Sequence, residues 1–345
     1  MKFKFVRFNS KRYGGNILRD KIKDALSLVA SCEYFTLNES KTGLKGKLTA
    51  LINLFRIERR NRTGYRSGGV KAEDREIIIW EYWSALTKFR KTGSKNILNI
   101  FHIDNSVVPI RWIHGILEKR FYRNLNNFDT VTVMSNYWKK HFTSAGHNDV
   151  RLIYPGFDMS AYQRTEDESK EFKRKYGLNG RPIIYIGNAL KAKGTVEAYE
   201  VLKSLDVTLV TSGRKEVDIP VTNLDLPFRE FVTLLKAADI VVTMSLFKEG
   251  WCMVAHEAML MKTPVIGSGR GGMRELLEGG GQIICEDFAD LRRFTEELLG
   301  DPEKMKRMGE LGCTYASEFT MERFTRDWTN FAESMRCDTQ VRQES

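Results

Sequence analysis

The sequence contains no apolar run long enough to cross a bilayer. Its longest apolar stretches, such as IIIW at 77–80 and DIVVTMSLF at 239–247, fall far short of the ~18–20 residues that a spanning helix needs. Proline is scarce, at seven in 345 residues, and the chain has neither internal repeats nor a low-complexity tract. Collagenous, repeat and disordered classes are thereby excluded. The five cysteines (Cys32, Cys252, Cys285, Cys313, Cys337) are odd in number, widely spaced and without a C-x-x-C pair. That excludes a disulfide framework and a zinc knuckle and fits a reducing compartment. There is no G-x-S-x-G elbow of a serine hydrolase and no Asp-x-Asp pair to hold a metal. The first residues, MKFKFVRF, alternate basic and apolar side chains and lack the apolar core of a signal peptide, so they read as a first strand of a cytoplasmic protein.

What the chain does contain is a globular composition, 42% hydrophobic and 29% charged, at a length that fits two domains rather than one. The net charge of +11 is unevenly spread. Residues 1–155 carry 29 Lys and Arg against 13 Asp and Glu, or +16; residues 156–345 carry 26 against 31, or −5. The first half is therefore expected to meet something anionic.

β-branched runs alternate with helical patterns along both halves, which predicts βαβ units and parallel sheets. Strands are expected near 2–8, 76–80, 96–102, 130–134 and 150–154, then at 182–187, 207–213, 239–245, 264–268 and 281–286. The fold class is α/β, with Rossmann-like parallel-sheet domains at 1–155 and 156–320. A last helix, within 321–345, is expected to cross back to the first domain. Ligands of such sheets bind beyond the carboxyl ends of the strands, so two facing domains would enclose an interdomain cleft.

The most informative stretch is FKEGWCMVAHEAMLMKTPVIGSGRGGMRELL, 247–277. A loop leaves a strand and opens a helix near Trp251 or Cys252, with Glu249 at its entrance and Glu257 eight residues on. Between the two carboxylates lies a helix N-terminus, whose free N–H groups hold phosphate well. Carboxylates accept hydrogen bonds from vicinal diols, so the layout suits a nucleotide diphosphate sugar, with one carboxylate for the sugar and one for the ribose.

This stretch resembles the E-x(7)-E element of retaining glycosyltransferases of family four, which have the GT-B fold. The similarity continues in order through YGGNILRDKIKDAL at 13–26, VTVMSNYWKKHFTSAG at 131–146, RLIYPGFDMSAY at 151–162, IIYIGNALKAKG at 183–194 and LLKAADIVVTMS at 234–245. The resemblance implies that Glu249 contacts the donor sugar and Glu257 the ribose. It implies that Lys193 neutralises the leaving diphosphate, and that His102 lies near the donor sugar. It also implies that Gly14, Gly15, Gly250, Trp251, Cys252 and Met253 approach the donor, with the glycine pair Gly271 and Gly272 beside the nucleotide. Transfer would proceed with retention, without a metal or other cofactor, from a nucleotide-diphosphate-sugar to a glycan or lipid-linked acceptor of cell-surface polysaccharide or glycolipid synthesis. The transferred group would be a hexose-type sugar.

Two departures from the pattern stand out. Asn188 occupies the position of an arginine that partners the phosphate lysine, leaving Lys191 or Arg214 as replacements. The stretch 214–228 is too short for the helix-strand unit that family members have there. A weakly active or non-catalytic GT-B module, a DNA-modifying glucosyltransferase or nucleic-acid-binding protein, and an epimerase on the same fold are the alternatives; the ordered motifs favour transfer. Within 41–75, Leu44, Leu48, Leu51, Ile52 and Phe55 recur at helical spacing among Lys41, Lys45, Lys47, Arg56, Arg59, Arg60 and Arg62. Such a helix can pack on the sheet or lie on the inner face of the plasma membrane. Sedimentation with vesicles separates these: selective binding to anionic lipid is expected, and equal, negligible binding to anionic and neutral vesicles contradicts membrane association.

Overall fold

The computed structural model describes residues 1–8, 14–37, 76–85, 94–103 and 111–341. The basic segment 41–75 lies outside them. By contacts the chain divides into two units, Met1–Gly156 with Glu322–Ser345, and Phe157–Met321.

The first unit is a parallel sheet built from β1 (Lys2–Phe8), β2 (Ser31–Leu37), β3 (Glu76–Glu81), β4 (Lys95–Ile100), β5 (Thr130–Val133) and β6 (Val150–Leu152), in the order β2-β1-β3-β4-β5-β6. Strand β2 falls in a stretch where no strand was expected. Its sequence, SCEYFTL, mixes polar and apolar residues, and among the described residues it is an edge strand held only by β1. Strands β3, β4 and β5 are buried along nearly all of their length, as strands covered on both faces are. One core gathers Val6, Ile78, Trp80, Leu98, Ile100, Val131 and Val133 against Phe121, Trp138 and Phe142 of the helices Arg111–Leu125 and Asn136–Ser144. Buried polar groups pair within this core: the Trp80 indole donates to Asn96 Oδ1 at 3.0 Å, and the Thr132 hydroxyl to Asn99 Oδ1 at 2.9 Å. The last helix, Met321–Val341, docks on this unit, accepting a hydrogen bond from Lys95 Nζ at the carbonyl of Met335 and donating from Arg336 to the carbonyl of Val29.

The second unit contains β7 (Ile183–Asn188), β8 (Thr208–Ser212), β9 (Thr222–Leu224), β10 (Ile240–Thr243), β11 (Val265–Gly267) and β12 (Ile283–Ile284), ordered β12-β11-β10-β7-β8-β9. Counted from β7, this is the 3-2-1-4-5-6 order of a Rossmann sheet, whose switch point lies between β7 and β10. The expected loss of a helix-strand unit after residue 213 is corrected here. Strand β9 is present, pairing Val210 with Thr222 and Ser212 with Leu224. Only the connecting helix is missing, replaced by residues 213–221, which bury Val217 and Ile219 in the core.

The helix Met253–Leu260 is buried along most of its length, because the helix Pro302–Ala316 covers it. That covering helix can come close because its facing residues are small. A Cβ on Gly309 would lie 2.2 Å from the Lys262 carbonyl oxygen, and one on Gly312 would meet Met259 and Gln282. The Met253 helix ends at Lys262 in the left-handed region, with φ 59°, where glycine is the usual occupant. Opposite effects are expected from two substitutions. Lys262→Gly should raise the thermal midpoint by about 2–4 °C, the equivalent of ~1 kcal/mol; Gly309→Ala should lower it by at least as much, since its clash is with backbone.

Candidate donor site

The site lies at the switch point of the second sheet. Strand β7 ends at Asn188 and runs through a single 3-10 turn, Lys191–Lys193, into the helix Thr195–Leu202. Strand β10 ends at Thr243 and leads through 244–252 into the Met253 helix. The two loops are fastened to each other by backbone, Leu246 N–H donating to the Ala192 carbonyl at 2.9 Å. Gly194, at φ +67°, lies so close to strand β10 that a Cβ would stand 2.2 Å from the Met244 carbonyl oxygen. Gly271, at φ +69°, plays the same part beneath the second loop: its Cβ would lie 2.5 Å from the Glu249 carbonyl oxygen. A local bridge joins Glu249 to Gly271, and Gly272 N–H donates to the Glu249 carbonyl at 2.8 Å. The glycine pair is thus explained by the closeness with which it holds the Glu249 backbone.

The outcome is a contact between two of the predicted residues. Lys193 Nζ lies 2.5 Å from Glu249 Oε1, and the Ser245 hydroxyl donates to the same oxygen at 2.6 Å. Glu249 is buried and Lys193 partly exposed, with Nζ also over the Phe247 ring at 4.8 Å. A carboxylate removed from water requires such partners. Ser245 was missed in the sequence, although it ends the run DIVVTMS two residues past the apolar strand β10.

Glu257 lies on the second turn of the Met253 helix, buried, and accepts a hydrogen bond from the Tyr162 hydroxyl at 3.0 Å. Burial, reinforced by the Glu257 charge, holds the Tyr162 hydroxyl far above its usual pKa, so it acts as a permanent donor. No motif marks Tyr162 as functional, since its position reads as one more apolar residue of YPGFDMSAY.

Residues 250–253 part company. Gly250 and Cys252 are buried at the helix entrance, and Met253 is the first helical residue. The N–H groups of this first turn have no carbonyl one turn back to bond. The Trp251 side chain turns into the core of the unit and donates from Nε1 to His256 Nδ1 at 3.1 Å. His256 Nε2 faces the Ala316 carbonyl at 3.1 Å, and its ring stacks on Phe157 at 3.7 Å. With one ring nitrogen accepting from the indole and the other donating to a carbonyl, His256 is held as the neutral imidazole. The Trp251 side chain therefore anchors the loop, and the expected approach of residues 250–253 to a donor is one of backbone amides.

Asn188 is also accounted for. Its Oδ1 accepts from the fully buried Tyr185 hydroxyl at 2.8 Å and from Ser212 Oγ at 3.2 Å, and its carbonyl accepts from Thr195 Oγ1 at 2.8 Å. An arginine there would remove an acceptor from a buried tyrosine. Arg214, just beyond β8, is exposed and has no partner among the described residues. In the first unit, Gly14 and Gly15 open the helix Gly14–Ser27 after β1, and His102 lies exposed two residues past β4.

Residues 167–313 match the family model described as Glycosyl transferases group 1. Among curated proteins, the chain is 27% identical over 218 residues to Spore coat protein SA of Bacillus subtilis, covering 52% of this chain and 58% of the relative. It is 25% identical over 201 residues to the putative teichuronic acid biosynthesis glycosyltransferase TuaC of the same organism, covering 54% and 51%. The chain spans about half the length of the curated relatives it matches. Among solved structures, sucrose-phosphate synthase of Thermosynechococcus elongatus matches with a TM-score of 0.76 at 15% identity, covering 98% of this chain and 99% of that one. HepE of Anabaena, solved in complex with UDP-glucose, matches with a TM-score of 0.68 at 17% identity, covering 97% and 100%.

Burial pushes the Cys252 thiol up to about 12; the Glu249 charge adds to this and Lys193 opposes it. At neutral pH the thiol is therefore protonated and enclosed, and Cys252 is expected to resist iodoacetamide in the native protein and to react once unfolded. Mass spectrometry of the labelled peptides checks this. Fold and sequence match converge: the chain has the GT-B fold, and its residues 167–313 match the model of glycosyl transferases group 1.

Proposed function

We propose that the chain is a retaining, metal-independent hexosyltransferase. It would use a nucleotide-diphosphate-sugar donor and pass the sugar to a glycan or lipid-linked acceptor in cell-surface polysaccharide or glycolipid synthesis. The observation that carries this reading is the contact of Lys193 with Glu249 at the sheet switch point, beside an open helix N-terminus. A UDP-glucose complex of a protein sharing the fold supports a nucleotide-sugar donor, and the relative named for teichuronic acid biosynthesis supports a polysaccharide setting.

In this reading the first-turn N–H groups of the Met253 helix and Lys193 hold the diphosphate. Arg214 supplies a second cation in place of the absent arginine, and the Asn188 amide adds a neutral donor. Glu249 accepts sugar hydroxyls and Glu257 ribose hydroxyls. The bond from the anomeric carbon to phosphate breaks, and the acceptor oxygen bonds that carbon on the same face. The acceptor proton passes to the departing phosphate oxygen, and nucleoside diphosphate leaves. Preorganised cations aimed at that oxygen provide the main stabilisation of the transition state.

The first unit, with its excess of basic residues, is assigned to the acceptor. Its charge fits an anionic glycan or a cytoplasmic membrane surface better than it fits the donor, which meets the acidic half.

Thermal shift with UDP, GDP, ADP and their sugars tests the donor assignment, since a ligand bound only to the folded state raises the midpoint. At least one nucleotide is expected to stabilise the protein, and none doing so contradicts the reading. With that donor, Lys193→Ala and Glu249→Gln should each lower transfer by about 100-fold or more, and EDTA should leave the wild-type rate unchanged.

A further inference from the structure

Among the described residues of the second unit, Phe228 is conspicuous as a large aromatic side chain 49% exposed at the carboxyl end of the sheet. It follows β9 by a few residues and is the first residue of the helix Phe228–Ala237, in which Val232, Leu234 and Leu235 are buried and Phe231 is partly buried. Leaving half of a phenyl ring in water forgoes burial that the rest of this helix achieves.

The ring is nonetheless held in place. It meets Tyr162 at 5.7 Å between centroids and 85° between planes, an edge-to-face contact. Tyr162 in turn packs on Phe157 and donates to Glu257. One buried side chain therefore connects the carboxylate assigned to the ribose with an open aromatic surface, through contacts of 3.0 Å and 5.7 Å. One tyrosine side chain thus lies between the two.

We propose that Phe228 is the platform on which the nucleobase of the donor stacks, with Tyr162 fixing both the platform and Glu257 so that base and ribose are engaged together. This rests on the donor reading given above. Stacking on an aromatic face is open to every base, because each has a π-face. The ligand class is therefore a nucleoside diphosphate, recognised at its base by Phe228 and at its ribose by Glu257.

Isothermal titration of the full chain with UDP, GDP, ADP and inorganic pyrophosphate tests it. Phe228→Ala is expected to weaken the nucleoside diphosphates that bind wild type by about tenfold while leaving pyrophosphate affinity unchanged, and Phe228→Trp to restore the loss. If Phe228→Ala binds nucleotide as wild type does, or loses nucleotide and pyrophosphate equally, the platform is overturned while the donor reading stands. If wild type binds none of the four, the donor reading fails and the platform with it. Phe228 is half exposed, so its removal leaves the fold intact, and an unchanged thermal midpoint confirms that any loss is one of binding.

Discussion

The contact between Lys193 and Glu249 is the constraint around which the second unit is arranged. A carboxylate withdrawn from water needs a counter-charge and further donors, or it becomes protonated. Here the lysine arrives from the loop after β7 and the hydroxyl of Ser245 from the end of β10. These loops belong to different βαβ units, and they meet only because β7 and β10 are neighbours at the switch point. Sheet order places the pair, and glycine fixes it. Gly194 and Gly271 adopt backbone angles that side chains avoid, and both approach backbone more closely than any Cβ permits. The strain-free conformation of glycine at these two positions is what allows the loops to lie against the strands.

A second layer of support comes from aromatic residues. Trp251, His256, Phe157 and Phe319 form one buried cluster under the loop that carries Glu249. Every polar atom between the indole and the Ala316 carbonyl is used, which fixes the direction in which the loop enters the Met253 helix. Tyr162 extends the cluster to Glu257. Both carboxylates are consequently tied to ordered elements of the unit.

Much of this was legible in the sequence because apolar strands and loop glycines are local signals. The strands of the second unit and the helix between Glu249 and Glu257 follow from β-branched runs, turn residues and spacing. Strand β9 was not legible, since its residues are Thr222, Asn223 and Leu224 and among the described residues it is held at an edge by β8 alone. The direction of the Trp251 side chain was hidden for another reason: it depends on His256, which reads as an ordinary helical position until the fold brings Ala316 and Phe157 around it. The reason for Asn188 lay likewise in Tyr185 and Ser212, which come together only through the β7–β8 register. Side chains whose roles are set by partners on other elements leave no pattern along the chain.

The central claim is that the Lys193 and Glu249 loops form an anion site for the diphosphate of a nucleotide. Phosphorus NMR of bound UDP, or of whichever nucleoside diphosphate stabilises the protein, reads this at the phosphates themselves. The account predicts that binding to wild type displaces the β-phosphate resonance and that Lys193→Met abolishes the displacement in nucleotide that remains bound. A β-phosphate resonance that shifts identically in both proteins would contradict it.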